Sequence, residues 1–416
     1  MSLADQASLL LIPTGYKSQK VYSIFPTNGD GDFDFSRPSS ATRIAKNGLI
    51  TTVAANVPRL EYPLIDGVVN GCPSLLLEPQ RTNLIEYSIP TNSAPYNYAN
   101  GGVGLAPIHT ANQGISPDGS LNACKIDFNL NGGTSSSDLS QMAYVGSSLT
   151  GDYTSSFYLK SFDSNSYTVT LLDPNGVTNK TVITPEWQRF TFYNGGGTTS
   201  TNLIRIRLRG NENTSDTASL LAWGFQIEQG SYATSYIPTN GTTVTRLAET
   251  ANGAGNADTF NDSEGVLMAE ISALTSSNGS RDIEISDGNT NRIIIQYNPS
   301  GVLQVFVLVN GVTTYTFAYT TLITQFKKIA LKYKENDFAL WVDGFEADSS
   351  NSGSVFSENT LTQLDLLKGV DSSLNFYGKT KQIQYYNSAL TDSELEKLTS
   401  WTSFSDMATS QLYSIK

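Results

Sequence analysis

In the segment SRDIEISDG, Asp282 and Glu284 alternate with isoleucines, so on an extended chain they share one face with their Cα atoms roughly 7 Å apart. Two carboxylates so placed are the equipment of a glycoside hydrolase, one protonating the leaving oxygen while the other acts as base or nucleophile. The sandwich-glucanase pattern puts a third acid at the next alternate position, where this chain has Ser286; a solvent-facing strand end is the simpler reading. The single histidine, His109, lies in PIHTANQG, a turn-rich stretch without a nucleophile elbow, so a serine-type triad finds no partner there. With only Cys72 and Cys124 beside it, a Cys/His zinc site lacks ligands. The two thiols read as buried side chains, with one disulfide as the arithmetic alternative. Asp287 and Asp343, each followed by glycine, put oxygen ligands into turns, as calcium sites do; calcium needs six or more oxygens, and Asp-Gly is first of all turn chemistry. No enzymatic activity and no cofactor are expected, and calcium is the one metal with candidate ligands.

Sugar binding uses other groups: an aromatic plate for the apolar face of a pyranose, amides and carboxylates for its hydroxyls. The chain has 21 tyrosines, and Trp187, Trp223, Tyr315 and Trp341 are the candidate plates. Each tryptophan of the three falls in a strand pattern where a core position competes with a binding role.

The elements that must position these residues follow from composition and pattern. At 416 residues the chain exceeds a single core of about 250 residues and should form two or three domains. Its charged fraction is 15% and its net charge -12, so an acidic surface without a basic stripe excludes nucleic acid as a partner. The apolar run from Leu9 to Ile12 is closed by Pro13 and preceded by an acid, unlike a secretion signal. No segment approaches the roughly 18 apolar residues of a membrane span. A soluble protein with no membrane partner is expected.

Three blocks appear. Residues 1–88 hold seven of the fifteen prolines and predict extended segments and short strands that lean on a neighbour for stability, with GDGDF and PRLEYP as turns. Residues 89–249 alternate as half-buried strands do: in LIRIRLRG, Ile204, Ile206 and Leu208 face one way, Arg205, Arg207 and Arg209 the other. Between 89 and 150 that pattern blurs into loops. Residues 256–402 repeat the alternation, with Asn310-Gly311 as a two-residue hairpin turn and a second hairpin over 326–344 turning at Glu335 to Asp337. The one convincing helix is LTDSELEKLTSW, where Thr391 and Glu394 form a capping box and Leu395 and Leu398 share a face; it should cover one end of the last sandwich. Residues 403–416 read as a tail or contact arm. The fold class is all-β: an extended N-terminal segment, two β-sandwiches and one C-terminal helix.

The segments FDFSRPSSATRIAKNGLI, NVPRLEYP and CPSLLLEPQRTNLIEYS, with IPTGYKSQKVYSIFPTNGDGDF before them, resemble the N-terminal module of bacteriophage fibre and tail proteins of the crAss-like (Bacteroidetes phage) type. AWGFQIEQGSYATSYIPTNGTTVTRLAE is similar to the closing strand and exit loop of their jelly-roll carbohydrate-binding domains. FALWVDG followed by FYGKTKQIQYYNSALTDSELEKL resembles a laminin-G or concanavalin A-like sandwich. The resemblance implies a virion structural protein, of head or tail, made in the host cytoplasm. Its residues 1–88 would dock on other virion proteins, with Tyr16, Arg37, Arg43, Arg59 and Arg81 as candidate docking residues. Its sandwiches would project toward host glycans, and a homo-oligomer, as a trimer, would supply avidity. A surface-polysaccharide depolymerase and a ligand-free spacer are the alternatives. At the hand-over, Leu75 to Leu77 would enter a shared core, Pro79 would set direction, and Arg81 and Asn83 would satisfy backbone groups; the plainer alternative is an internal strand and turn of one domain.

Overall fold

The computed structural model describes residues 3–65, 67–276, 279–369, 371, 373–403, 406 and 407; most of the expected tail 403–416 lies outside them. Strands are the dominant regular structure, and Asp392–Thr399 is the one full α-helix among the described residues. Two compact units form, one of residues 1–48, 52–79 and 247–416, the other of 49–51 and 80–246.

The unit of 80–246 is a sandwich of two five-stranded antiparallel sheets. One runs in the order Tyr96–Gly101, Leu139–Val145, Asn202–Arg209, Tyr167–Leu172, Thr178–Ile183. The other runs Leu105–Ile115, Leu121–Asn129, Thr217–Gln229, Tyr153–Ser161, Gln188–Asn194. Alternation decides which side chains meet between them: Ile204, Ile206 and Leu208 are fully buried against Ile126, Phe157 and Leu220. The arginines of the same strand point away, Arg207 pairing with Glu212. The strand Thr217–Gln229 is buried on both faces, Ala222 and Phe225 in this core and Leu221 and Trp223 in a smaller cluster with Ala123 and Tyr236.

Residues 89–150 are strands and not loops. Leu105–Ile115 escapes the alternation because it is an edge strand with three irregularities of register, a proline, and left-handed Asn112 (φ 55°). Edge strands need little apolar periodicity, since one side of the ladder is unpaired.

The other unit packs an eight-stranded sheet on a five-stranded one. The first contains Phe345–Ser350, Phe338–Val342, Lys327–Lys334, Glu264–Ala273, Gly378–Tyr386, Ser74–Leu77 and Arg59–Glu61 in spatial order, with Leu9–Leu11 also pairing Gly378–Tyr386. The second runs Val312–Tyr319, Leu303–Val309, Arg292–Tyr297, Arg281–Ser286, Gln363–Asp365. Asn310 and Gly311 both take positive φ, 51° and 79°, as a two-residue turn between twisted strands requires. In the second hairpin Ile329 opposes Val342 and Leu331 opposes Leu340, all within the core.

The short strands of the first 79 residues lean on a neighbour: Leu9–Leu11, Phe33–Ser36 and Ser74–Leu77, too short to enclose a core, pair with strands of residues 250–386. Two expectations change here. PRLEYP contains a strand, Arg59–Glu61, instead of a turn. The helix lies on the face of the eight-stranded sheet and not at its end, with Leu395 and Leu398 against Val266, Met268 and Trp341; its Thr391 amide donates to Glu394 Oε2 at 2.9 Å. No helix of the described residues is long and apolar enough to cross a membrane.

Candidate ligand-binding site

The four candidate aromatic plates do not converge. Trp223 is fully buried, its ring 4.3 Å from that of Tyr236 and 5.5 Å from that of Tyr158. Trp187 is half-buried beside the same cluster, donating from Nε1 to the Ile115 carbonyl at 3.1 Å. Tyr315 lies in the core of the other unit, stacked on Phe338 with its hydroxyl on Asp348, and Trp341 lies beneath the helix. Burial removes Trp223, Tyr315 and Trp341 as exposed plates.

Of the candidate docking residues, Arg37 and Arg59 are 0% exposed and cannot meet a partner. Both guanidiniums pair with the carboxylate of Glu249, Arg37 Nη1 at 2.6 Å, and Arg59 also pairs with Glu78 at 2.9 Å. A buried cation survives only if paired and hydrogen-bonded, and here two remote positions, Glu78 and Glu249, supply the carboxylates. Arg43 and Tyr16 are half-buried and stacked, the guanidinium 5.8 Å from the ring centroid. Arg81 lies over Tyr232 at 5.4 Å, with its Nε 3.9 Å from Glu228. Asn83 fulfils the expected role of satisfying backbone groups: its Nδ2 donates to the carbonyls of Phe225 and Ile237, and its Oδ1 accepts from the amides of Ile85 and Ile227.

The acidic pair is buried, which corrects the expectation of a solvent-facing strand end. Asp282 and Glu284 are 1% and 0% exposed; Glu284 is held by Arg292 and by the Gly369 amide at 3.0 Å. Burial raises the Asp282 pKa to about 6, against a hydrogen bond from Gln296. Asp287 spends its oxygens on Asn289 and Asn291, and Asp343 on Lys327 and the Lys328 amide, so the two lie in separate, internally satisfied turns. Among the described residues no group of three or more His, Cys, Asp or Glu could hold a metal. Cys124 is buried and its thiol pushed up to about 12, whereas Cys72 is exposed; both are free, so neither the disulfide nor a pair of buried thiols describes them.

The concave site lies elsewhere, in the unit of 80–246. Two segments run antiparallel there: Tyr87 bridges Asn240, the Ser88 amide donates to the Thr239 carbonyl at 3.3 Å, and the Thr239 amide donates to Ser88 Oγ at 3.0 Å. Each carries the tetrapeptide Ile-Pro-Thr-Asn, at 89–92 and 237–240. Pro90 and Pro238 fall where the ladder would continue, and without an N–H neither can extend it. Both segments line a cavity of about 750 Å³.

Trp223 and Tyr236 are at its base, the Tyr236 hydroxyl 2.6 Å from Ser88 Oγ. His109, which belongs to the edge strand and not to a loop, lines one wall with Nε2 2.9 Å from the Pro90 carbonyl. Burial lowers its pKa against that hydrogen bond, so the ring is neutral and donates from Nε2. Asp118 lines another wall. Burial raises its pKa, but hydrogen bonds from Ser116 Oγ (2.6 Å), the Ser120 amide (2.8 Å) and Asn122 Nδ2 (3.2 Å) outweigh this and hold it below the usual carboxylate range. Half-buried Tyr87 and exposed Asn92, Thr110, Ala111, Pro238 and Asn240 are also in the lining. Three buried atoms of lining residues, Trp223 Nε1, Thr239 Oγ1 and Asn122 Oδ1, have no hydrogen-bond partner within the protein, whereas such groups are nearly always paired. Of these residues, sequence pattern points only to Trp223 and His109; the repeated Ile-Pro-Thr-Asn is a signal for residues 89–92 and 237–240, and no local signal marks Tyr87, Asp118, Asn122 or Tyr236.

Fold and cavity together define a β-sandwich protein with a mixed aromatic and amide-lined pocket. No family model and no curated protein matches the sequence. Among solved structures the chain is similar to the CBM40 of Ruminococcus gnavus IT-sialidase bound to α2,3-sialyllactose, at 15% identity and TM-score 0.30 over 36% of this chain and 87% of that one. It is similar to domain 4 of AbnA, a GH43 extracellular arabinanase from Geobacillus stearothermophilus in complex with arabinotriose, at 13% identity and TM-score 0.30 over 41% and 83%. It is similar also to Trypanosoma rangeli sialidase in complex with the inhibitor DANA, at 12% identity and TM-score 0.30 over 36% and 26%. Likenesses this slight assign no function to the chain.

Proposed function

We propose that this protein is a non-enzymatic, glycan-binding structural protein of a bacteriophage virion, and that the pocket between the two Ile-Pro-Thr-Asn segments is its sugar site. One observation carries the binding role: a cavity of about 750 Å³ with Tyr87 at its accessible wall, amides and a carboxylate around it, and unpartnered polar atoms among its lining residues. That combination suits a pyranose, which offers an apolar face and a ring of hydroxyls that donate and accept. Virion placement is supported by the resemblance of residues 12–88 to phage fibre modules. Assembly as a homo-oligomer, as a trimer, would let a weak site hold through avidity.

A multivalent glycan array probed with the full chain tests the binding role. Specific signals that fall at least tenfold in the Asn92→Ala/Asn240→Ala double variant, whose two side chains are exposed, support it; silence at high valency removes it. Mass spectrometry of purified particles tests placement: the chain should occur in multiple copies, and its absence ends the virion reading.

A further inference from the structure

The pocket's charge speaks to which glycans it takes. Its lining contains no lysine or arginine, and Asp118 is its one carboxylate. Asp118 is held as a carboxylate by hydrogen bonds from Ser116, Ser120 and Asn122, so the charge at this wall is negative. Asn92, Asn240, Thr110 and Asn122 add amide and hydroxyl groups that donate and accept. A sugar hydroxyl does both as well, whereas a sugar carboxylate only accepts and calls for a cationic donor such as arginine. His109 does not supply that charge, being neutral and already bonded to Pro90.

Nor does the surrounding unit. Residues 80–246 hold nine Lys and Arg against eleven Asp and Glu, so the unit has no excess of positive charge, and its nearby Arg189 is engaged with Ser156 and the Thr234 carbonyl. A like charge about 5 Å from it, at an effective dielectric near 40, loses on the order of tenfold in affinity.

We infer that this pocket selects uncharged saccharides and rejects sialylated and uronic-acid glycans. The inference rests on the sugar-site reading above and adds to it the class of ligand.

The test compares matched pairs that differ by one acid, lactose against sialyllactose and glucose oligomers against glucuronate-containing ones, by calorimetric titration of the full chain. The neutral member should bind about tenfold more tightly, and the ratio should narrow as ionic strength rises from 0.01 to 0.5 M, since a Debye length of about 4 Å at the upper end weakens the repulsion. Asp118→Asn should narrow the ratio in the same direction at low salt. Equal or tighter binding of the acidic member overturns the inference while leaving glycan binding intact. A ratio indifferent to salt in the native chain also overturns it, because the discrimination then has another origin. Silence toward both members removes the sugar site and the inference together.

Discussion

Glu78 and Glu249 hold each other: the Glu249 amide donates to the Glu78 carbonyl at 3.1 Å, and the Glu78 amide donates to Glu249 Oε2 at 2.9 Å. They flank in sequence the whole of residues 80–246, and the Glu249 carboxylate at this junction also pairs with buried Arg37 and Arg59. Burial alone would lower the Arg59 pKa; the carboxylates of Glu249 and Glu78 reverse that and raise it.

Glu249→Ala should therefore destabilise the unit of 1–48, 52–79 and 247–416 by about 3–5 kcal/mol, because two buried guanidiniums lose their common carboxylate. Urea unfolding of the full chain measures this. A change within about 0.5 kcal/mol would mean that the cluster is not what joins these segments.

Asn83→Ala should cost about 2–4 kcal/mol in the unit of 80–246, since it strips four buried backbone groups of their partner. Asn83→Asp keeps the acceptor but loses both donors and should also destabilise. Thermal unfolding of the two variants checks the order, with the native chain highest.

Acidification from pH 7 toward 5 should stabilise the unit that contains Asp282. Its folded pKa, about 6, lies above the unfolded value near 3.9, so the folded state binds the extra proton between those limits. The stability it contributes is present below that window and is lost as pH rises through 6. Burial raises Glu61, Glu270 and Asp365 in the same unit in the same sense. Asp282→Asn should gain roughly 2–3 kcal/mol at pH 7 and flatten the pH dependence of the urea midpoint; a midpoint that rises with pH from 5 to 7 would contradict this.

What was legible in the sequence is what depends on near neighbours. Ile204, Ile206 and Leu208 are inward because a strand has period two, and Asn310-Gly311 turns because both residues accept positive φ. The strands of the first 79 residues were not legible as parts of a sheet, because Leu9 pairs with Tyr385 and Leu76 with Lys379, and three apolar residues name no partner. Tryptophans drew attention for their size, yet size is also what takes Trp223 and Trp341 into the interior. The pocket joins Ser88 to Thr239, 151 positions away, and its accessible residues are asparagine, threonine and tyrosine, types abundant throughout the chain. The repetition of a four-residue string distinguishes only those at 89–92 and 237–240.

A structure of the full chain determined with a saturating neutral oligosaccharide tests the sugar site most directly. Ligand density against Tyr87, Asp118 and Asn240, between the two Ile-Pro-Thr-Asn segments, is the result expected. Density seated elsewhere on the protein, or an empty pocket at a concentration where binding is measured in solution, would contradict it.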